Sequence, residues 1–183
     1  MHFLKLNLLM TTDLSRYLST FLSLYLPGER GISGNTINSY KDTFILLLIY
    51  YNNVMKIPAE KLTLNMIKAE TITGFLDWLE TERNSCTATR NVRLAAIHSF
   101  FRYLQYRYPD ALDEWQRILS ILVKKADKPV VNYLTVDGIK LLLEGPDQST
   151  KTGRRDLALL SFMYNSGCRV QELIDIIPSM VRL

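Results

Sequence analysis

A chain of 183 residues, 48% of them hydrophobic, is too apolar for a disordered tail and can bury one sizeable core, or one complete domain with part of another. Its formal charge of +4 leans towards an anionic partner without selecting one. The two cysteines, Cys86 and Cys168, and the two histidines, His2 and His98, lie too far apart for disulfide or metal-ligand spacing, so packing residues, a reducing compartment and no metal are expected.

The opening MHFLKLNLLM is apolar, but Lys5 and Asn7 interrupt it and no small-residue cleavage site follows, so residues 1–10 do not read as a signal peptide and stay unassigned. The longest apolar run, Phe44 to Tyr51, falls far short of the roughly 20 residues that cross a bilayer. A soluble, cytoplasmic protein without a membrane partner is the expectation.

Apolar residues recur with the helical period nearly throughout, and alternating strand patterns are scarce, which predicts an all-α fold. A first helix is expected from Thr12 to Leu26, ended by Pro27-Gly28, with Leu14, Tyr17, Leu18, Phe21, Leu22 and Tyr25 as its stripe. A second starts near Asn35 and turns Ile37, Tyr40, Phe44, Leu47, Leu48 and Tyr51 inward. Thr63 is a candidate N-cap for a third that buries Ile67, Ile72, Phe75, Leu76 and Leu79, with a kink expected at Gly74. Thr87 is placed as the cap of a fourth running to Tyr106, and Trp115, Ile118, Leu119 and Leu122 suggest a short fifth. The charged stretch from Lys124 to Pro129 lacks apolar periodicity and reads as a linker over 124–130, between a domain at 11–123 and a further unit at 131–183. In that unit Thr135 caps a helix stopped by Gly145-Pro146, another runs from near Gly153 to Gly167, and a last one starts around Arg169.

Two constellations carry chemistry. From Arg83 to Tyr108 there are five arginines and neither Asp nor Glu. At about 100° per residue, Arg90 and Arg93 share a stripe with Ile97, Phe100, Phe101 and Leu104, so the fourth helix is basic in its first turns and apolar afterwards. Either those turns project past the core into a phosphate-lined groove, with Thr87, Thr89 and Asn91 able to bond phosphates or base edges, or the arginines snorkel on a solvated helix start. Lys41, Lys124, Lys125 and Lys128 are weaker candidates for phosphate contact, with a solvated surface as the alternative.

The second constellation lies at Gly167-Cys168-Arg169. The glycine breaks one helix and sets Arg169 at the start of the next, near unsatisfied N–H groups where an oxyanion can be held. Glu172 falls on the same helical face and can brace the guanidinium, whose planar fork suits a phosphodiester; an ordinary surface Arg–Glu pair has the same spacing.

Gly167-x-Arg169-x-x-Glu172-Leu173, with Arg155-Asp156-Leu157-Ala158-Leu159-Leu160 and Tyr133-Leu134-Thr135 upstream, resembles the first catalytic block of tyrosine recombinases of the phage-integrase type. The run from Asn35 to Tyr40 and the run from Thr89 to Leu104 are similar to the two signature helices of that family's SAM-like core-binding domain. The resemblance implies an all-α SAM-like bundle followed by the helical start of a catalytic domain, acting in DNA integration or site-specific recombination for a mobile element. It implies double-stranded DNA as partner, other recombinase subunits assembled on that DNA, and neither a cofactor nor a small-molecule substrate. Arg169 matches the first of the family's catalytic arginines and Glu172 its supporting acid. The family's lysine, His-x-x-Arg block and nucleophilic tyrosine come downstream of that arginine, and Tyr164 precedes it, so the sequence to Leu183 is expected to bind DNA without cleaving it. Non-catalytic regulation of recombination and a helical protein-interaction module are the other readings; the acid-free run from Arg83 to Tyr108 weighs against the latter. Exposed apolar faces at Leu173, Ile174, Ile176 and Ile177 are expected to make the second unit marginal, and proteolysis to release a fragment ending between Lys124 and Lys128.

Overall fold

The computed structural model describes residues 12–126, 133–177 and 179. Residues 1–11, with His2, and the candidate phosphate ligand Lys128 lie outside the described set. Every regular element among the described residues is helical, and the chain divides into two compact units, 1–127 and 128–183, each taken by itself.

In the first unit α1 starts at Asp13, where the Thr12 hydroxyl accepts the Ser15 N–H at 3.2 Å. The Asp13 carboxylate also accepts the Leu64 N–H at 3.0 Å, tying this helix start to the 3₁₀ turn Leu64–Met66. Pro27-Gly28 does not end the helix. From Phe21 to Glu29 it widens into π-type turns that carry Pro27 inside them. In a regular α-helix the proline ring would strike the carbonyl four residues back, and wider winding is one way to relieve that.

Helix α2 runs from Gly34 to Asn53 under a Ser33 cap and buries Phe44, Leu47 and Tyr51 as the periodicity predicts, together with Thr43 and Tyr50. Thr63 makes no side-chain cap; it precedes only the 3₁₀ turn, and α3 begins at Ala69 and runs to Thr81. Its N-terminus is closed from α5, where Glu114 accepts the Ala69 N–H at 2.7 Å. At Gly74 α3 continues without a break. A Cβ there would come within 2.7 Å of the Tyr50 hydroxyl oxygen, so the glycine makes room for a ring packed on Phe75 and Trp78.

Helix α4, Thr87–Arg107, packs against α2, α3 and α5, and α5 spans Leu112–Leu119. Leu122 falls outside α5 and is exposed, contrary to its place on the expected stripe. His98 is a packing residue: burial pushes its imidazole down from its ordinary pKa, and Nε2 lies 3.1 Å from the Ile118 carbonyl, which accepts from it. Phe21 sits at the centre of the core, with ring centroids of Tyr25, Tyr40, Phe44, Phe100 and Tyr103 between 5.2 and 6.4 Å away.

The second unit contains α6 (Val136–Glu144), α7 (Lys151–Ser166) and α8 (Val170–Ile174). Thr135 and Thr150 cap the first two by accepting the N–H groups of Gly138 and Gly153 at 3.1 and 3.0 Å. Gly153 is obligatory, because a Cβ would fall 1.9 Å from the Asp147 carbonyl oxygen. Gly167 ends α7 with φ +66°, the left-handed stop its position predicts. Leu173 is buried, a correction to the expected exposed face, because α8 folds back on α7; Ile174, Ile176 and Ile177 are exposed. None of the described helices is long and apolar enough to cross a membrane.

Phe21→Ala removes the ring that five others pack on and is expected to destabilise the first unit by about 3–5 kcal/mol, read from urea unfolding. A loss below about 1 kcal/mol would place the core elsewhere.

Candidate nucleic-acid interface

The first turns of the acid-free fourth helix do not carry Arg90 and Arg93 out past the core. Arg90 is only 4% exposed, and its Nη1 donates to the Leu122 carbonyl at 3.2 Å and to Asn91 Oδ1 at 3.3 Å. Arg93 Nη1 donates to the Ser39 carbonyl at 2.8 Å and to Thr43 Oγ1 at 3.2 Å, stapling α4 to α2. The expectation of groove-facing arginines is corrected on this point: α2 supplies acceptors to Arg93, and Leu122, after α5, returns along the start of α4 and supplies the carbonyl that the buried Arg90 requires. Among the described residues both Nε atoms are buried without a partner.

Asn91 is also turned inward. Its amide donates to the Lys124 carbonyl at 2.7 Å and accepts the Lys124 N–H at 3.1 Å. The Lys124 ammonium bonds Glu80 and lies 3.8 Å from Asp77, so this lysine is internally neutralised. Thr87 Oγ1 donates to Glu80 at 3.4 Å, and Thr89 Oγ1 sits 3.3 Å from Cys86 Sγ. Thr87 is the first residue of α4 and Cys86 occupies the cap position, one residue earlier than expected.

Glu80 is the residue that sequence reasoning missed. The Lys124 ammonium bonded to it, with the Lys124 and Arg90 charges and the Thr87 hydroxyl, holds its carboxyl below the usual carboxylate range against the upward push of burial. Its signal was legible only in outline: it lies near the end of α3, shortly before the acid-free run.

Lys41 and Lys125 are exposed, and among the described residues neither has an ion-pair partner. Because Arg93 reaches Ser39 and Thr43, the turn of α2 that carries Lys41 lies beside the first turns of α4.

In the second unit Arg169 is the residue before α8, and its side chain is 86% exposed. Glu172 Oε2 accepts the Arg169 N–H at 2.8 Å while Oε1 accepts its Nη1 at 2.9 Å. The predicted brace is therefore present. The N–H expected to help hold an anion is taken by Glu172, because a carboxylate three residues into a helix reaches back to the cap position. That backbone N–H first, and the guanidinium second, lower the Glu172 pKa. The guanidinium retains donors beyond Nη1, set in a plane that matches two phosphate oxygens. Tyr164, on α7, is exposed.

Residues 18–108 match the family model for the phage integrase N-terminal SAM-like domain. The chain is 39% identical over 161 residues to y4rC of Sinorhizobium fredii, named as an integrase/recombinase, covering 88% of this chain and 48% of that protein. It is 30% identical over 152 residues to the tyrosine recombinase XerD of Listeria monocytogenes, covering 83% and 48% respectively. Against the tyrosine recombinase XerC of Herpetosiphon aurantiacus the figures are 32% over 165 residues, with 88% of this chain and 50% of that protein covered. The chain thus spans about half the length of these relatives. No solved structure matches it significantly.

Two measurements check this geometry. Arg90→Met keeps the apolar stem and removes the donors, and is expected to lower unfolding free energy by about 1–3 kcal/mol; wild-type stability in that variant would return Arg90 to the candidate contact surface. The Glu172 carboxyl, followed by NMR, is expected to titrate below an ordinary glutamate, so its contact with Arg169 is complete at neutral pH and lost as pH falls through that lowered value. In Arg169→Ala the larger contribution, the backbone N–H, remains, so the pKa should rise only part of the way; a full return would show that the cap is not formed.

Proposed function

The chain belongs to the phage integrase family of tyrosine recombinases, and from that membership we propose that it binds double-stranded DNA in integration or site-specific recombination. The observation that carries the reading is the exposed Arg169 guanidinium, braced from behind by Glu172 with its fork turned to solvent. A side chain free to rotate would lose entropy on meeting a phosphodiester; one already gripped on one edge loses less. In this reading Arg169 holds a scissile phosphate and Glu172 is its positioning residue. No metal or nucleotide enters the proposal.

The first unit contributes affinity. Lys41 and Lys125 are the proposed phosphate contacts, with Thr87 and Thr89 at the start of α4 as hydrogen-bonding neighbours. Arg90, Asn91 and Arg93 act behind that surface as its scaffold, and Lys124, though exposed, is held by Glu80 and Asp77. Cytoplasmic action and assembly with further recombinase subunits on the DNA belong to the same proposal.

Fluorescence anisotropy of a labelled duplex across a salt series tests it. Wild type should weaken steeply with salt, and Lys41→Glu/Lys125→Glu should weaken binding on every sequence and reduce the slope of log affinity against log salt by about two. No binding at low salt would sink the reading and leave a helical protein-interaction module. A covalent adduct on nicked duplex, seen on a denaturing gel, would separate a strand-cleaving enzyme from the non-catalytic regulator.

A further inference from the structure

Residues 120–126, after α5, have no helical structure, yet the first part of this stretch is held in place. Ile121 packs against the core, but apolar packing does not hold the residues after it: Leu122 and Val123 are 82% and 64% exposed. Three polar groups of α3 and α4 do so instead. Arg90 takes the Leu122 carbonyl, Asn91 takes both the N–H and the C=O of Lys124, and Glu80 takes the Lys124 ammonium. Two backbone bonds to one residue from a single amide reproduce the pairing of a strand neighbour, which needs a donor and an acceptor on the same planar group. Lys125 and Ala126 show no such bond among the described residues.

We propose that Asn91 is a positioning residue that fixes where the polypeptide leaves the first unit, so that the connection to the second unit begins at Lys125, with residues 121–124 belonging to the bundle. The latch also sets which basic residues are available. Lys124 is retained by Glu80 and Asp77 while the latch is closed, and Lys125, one residue later, is the first lysine outside it. The buried Arg90 behind Asn91 makes the arrangement directional: releasing residues 121–124 would strip Leu122 from a guanidinium that has few other acceptors. The inference stands on the contacts of the first unit and does not depend on the DNA-binding reading.

Limited trypsin digestion of the full chain, with mass spectrometric assignment of each cut, tests it. Wild type should be cut after Lys125 well before Lys124. In Asn91→Ala, which removes both backbone bonds, cleavage after Lys124 should rise roughly tenfold or more relative to Lys125. Asn91→Asp is nearly isosteric and keeps the acceptor for the Lys124 N–H while losing the donor to its carbonyl, so it should give an intermediate rise and keeps the test valid if the alanine variant unfolds. A bundle that had simply loosened would open at Arg93 and Arg102 as well, and such a pattern would overturn the proposal. So would equal cutting after Lys124 and Lys125 in wild type, or an Asn91→Asp pattern identical to it.

Discussion

A guanidinium removed from water must be given acceptors, and α4 carries one that is buried, Arg90, and one that is half-buried, Arg93. An uncompensated charge in that position would cost several kcal/mol, more than most single contacts return. Much of the first unit's arrangement answers that demand. The Ser39 carbonyl and Thr43 hydroxyl of α2 turn to Arg93, the Leu122 carbonyl turns to Arg90, and the carboxylate of Glu80 lies close enough to Arg90 to feel its charge. The helices are thereby fixed in rotation as well as in place. Apolar packing alone tolerates a helix turning by a few tens of degrees; a fork with named oxygen partners does not.

The aromatic core accepts this geometry and extends it. Phe21 fills the space between α1, α2 and α4, and Tyr103 and Tyr25 carry the packing outward to Arg107, whose guanidinium lies 4.3 Å over the Tyr103 ring and pairs with Glu29. The last arginine of α4 thus works differently from the first two. It closes the aromatic cluster from the solvent side, where a cation over a ring keeps part of its hydration.

Arg169 lies in a third electrostatic setting. It is exposed, its one acidic partner among the described residues lies in the first turn of the short helix that follows it, and that partner, Glu172, holds it by the backbone and the side chain together. Exposed pairs of this sort add little to stability, so the arrangement is better understood as orientation than as a fold determinant. Orientation is what the proposed phosphodiester contact asks of an arginine.

The sequence by itself determined the helical class, the cores of α2 and α3, the glycine stop at Gly167, the threonine cap of α6 and the Arg169–Glu172 spacing, because each depends on residues within one or two turns of one another. The widened turns through Pro27, the start of α3 and the fate of the α4 arginines depended on more. Glu114 caps α3 from 45 positions away, Gly74 serves the Tyr50 ring, and Arg90 finds its carbonyl 32 residues downstream. A periodicity can say that Arg90 shares a face with Ile97 and Phe100, but not whether that face meets solvent, DNA or the returning chain. Only the tertiary structure brings Leu122 and Lys124 back along α4, and in doing so it gives Arg90 and Asn91 partners inside the first unit.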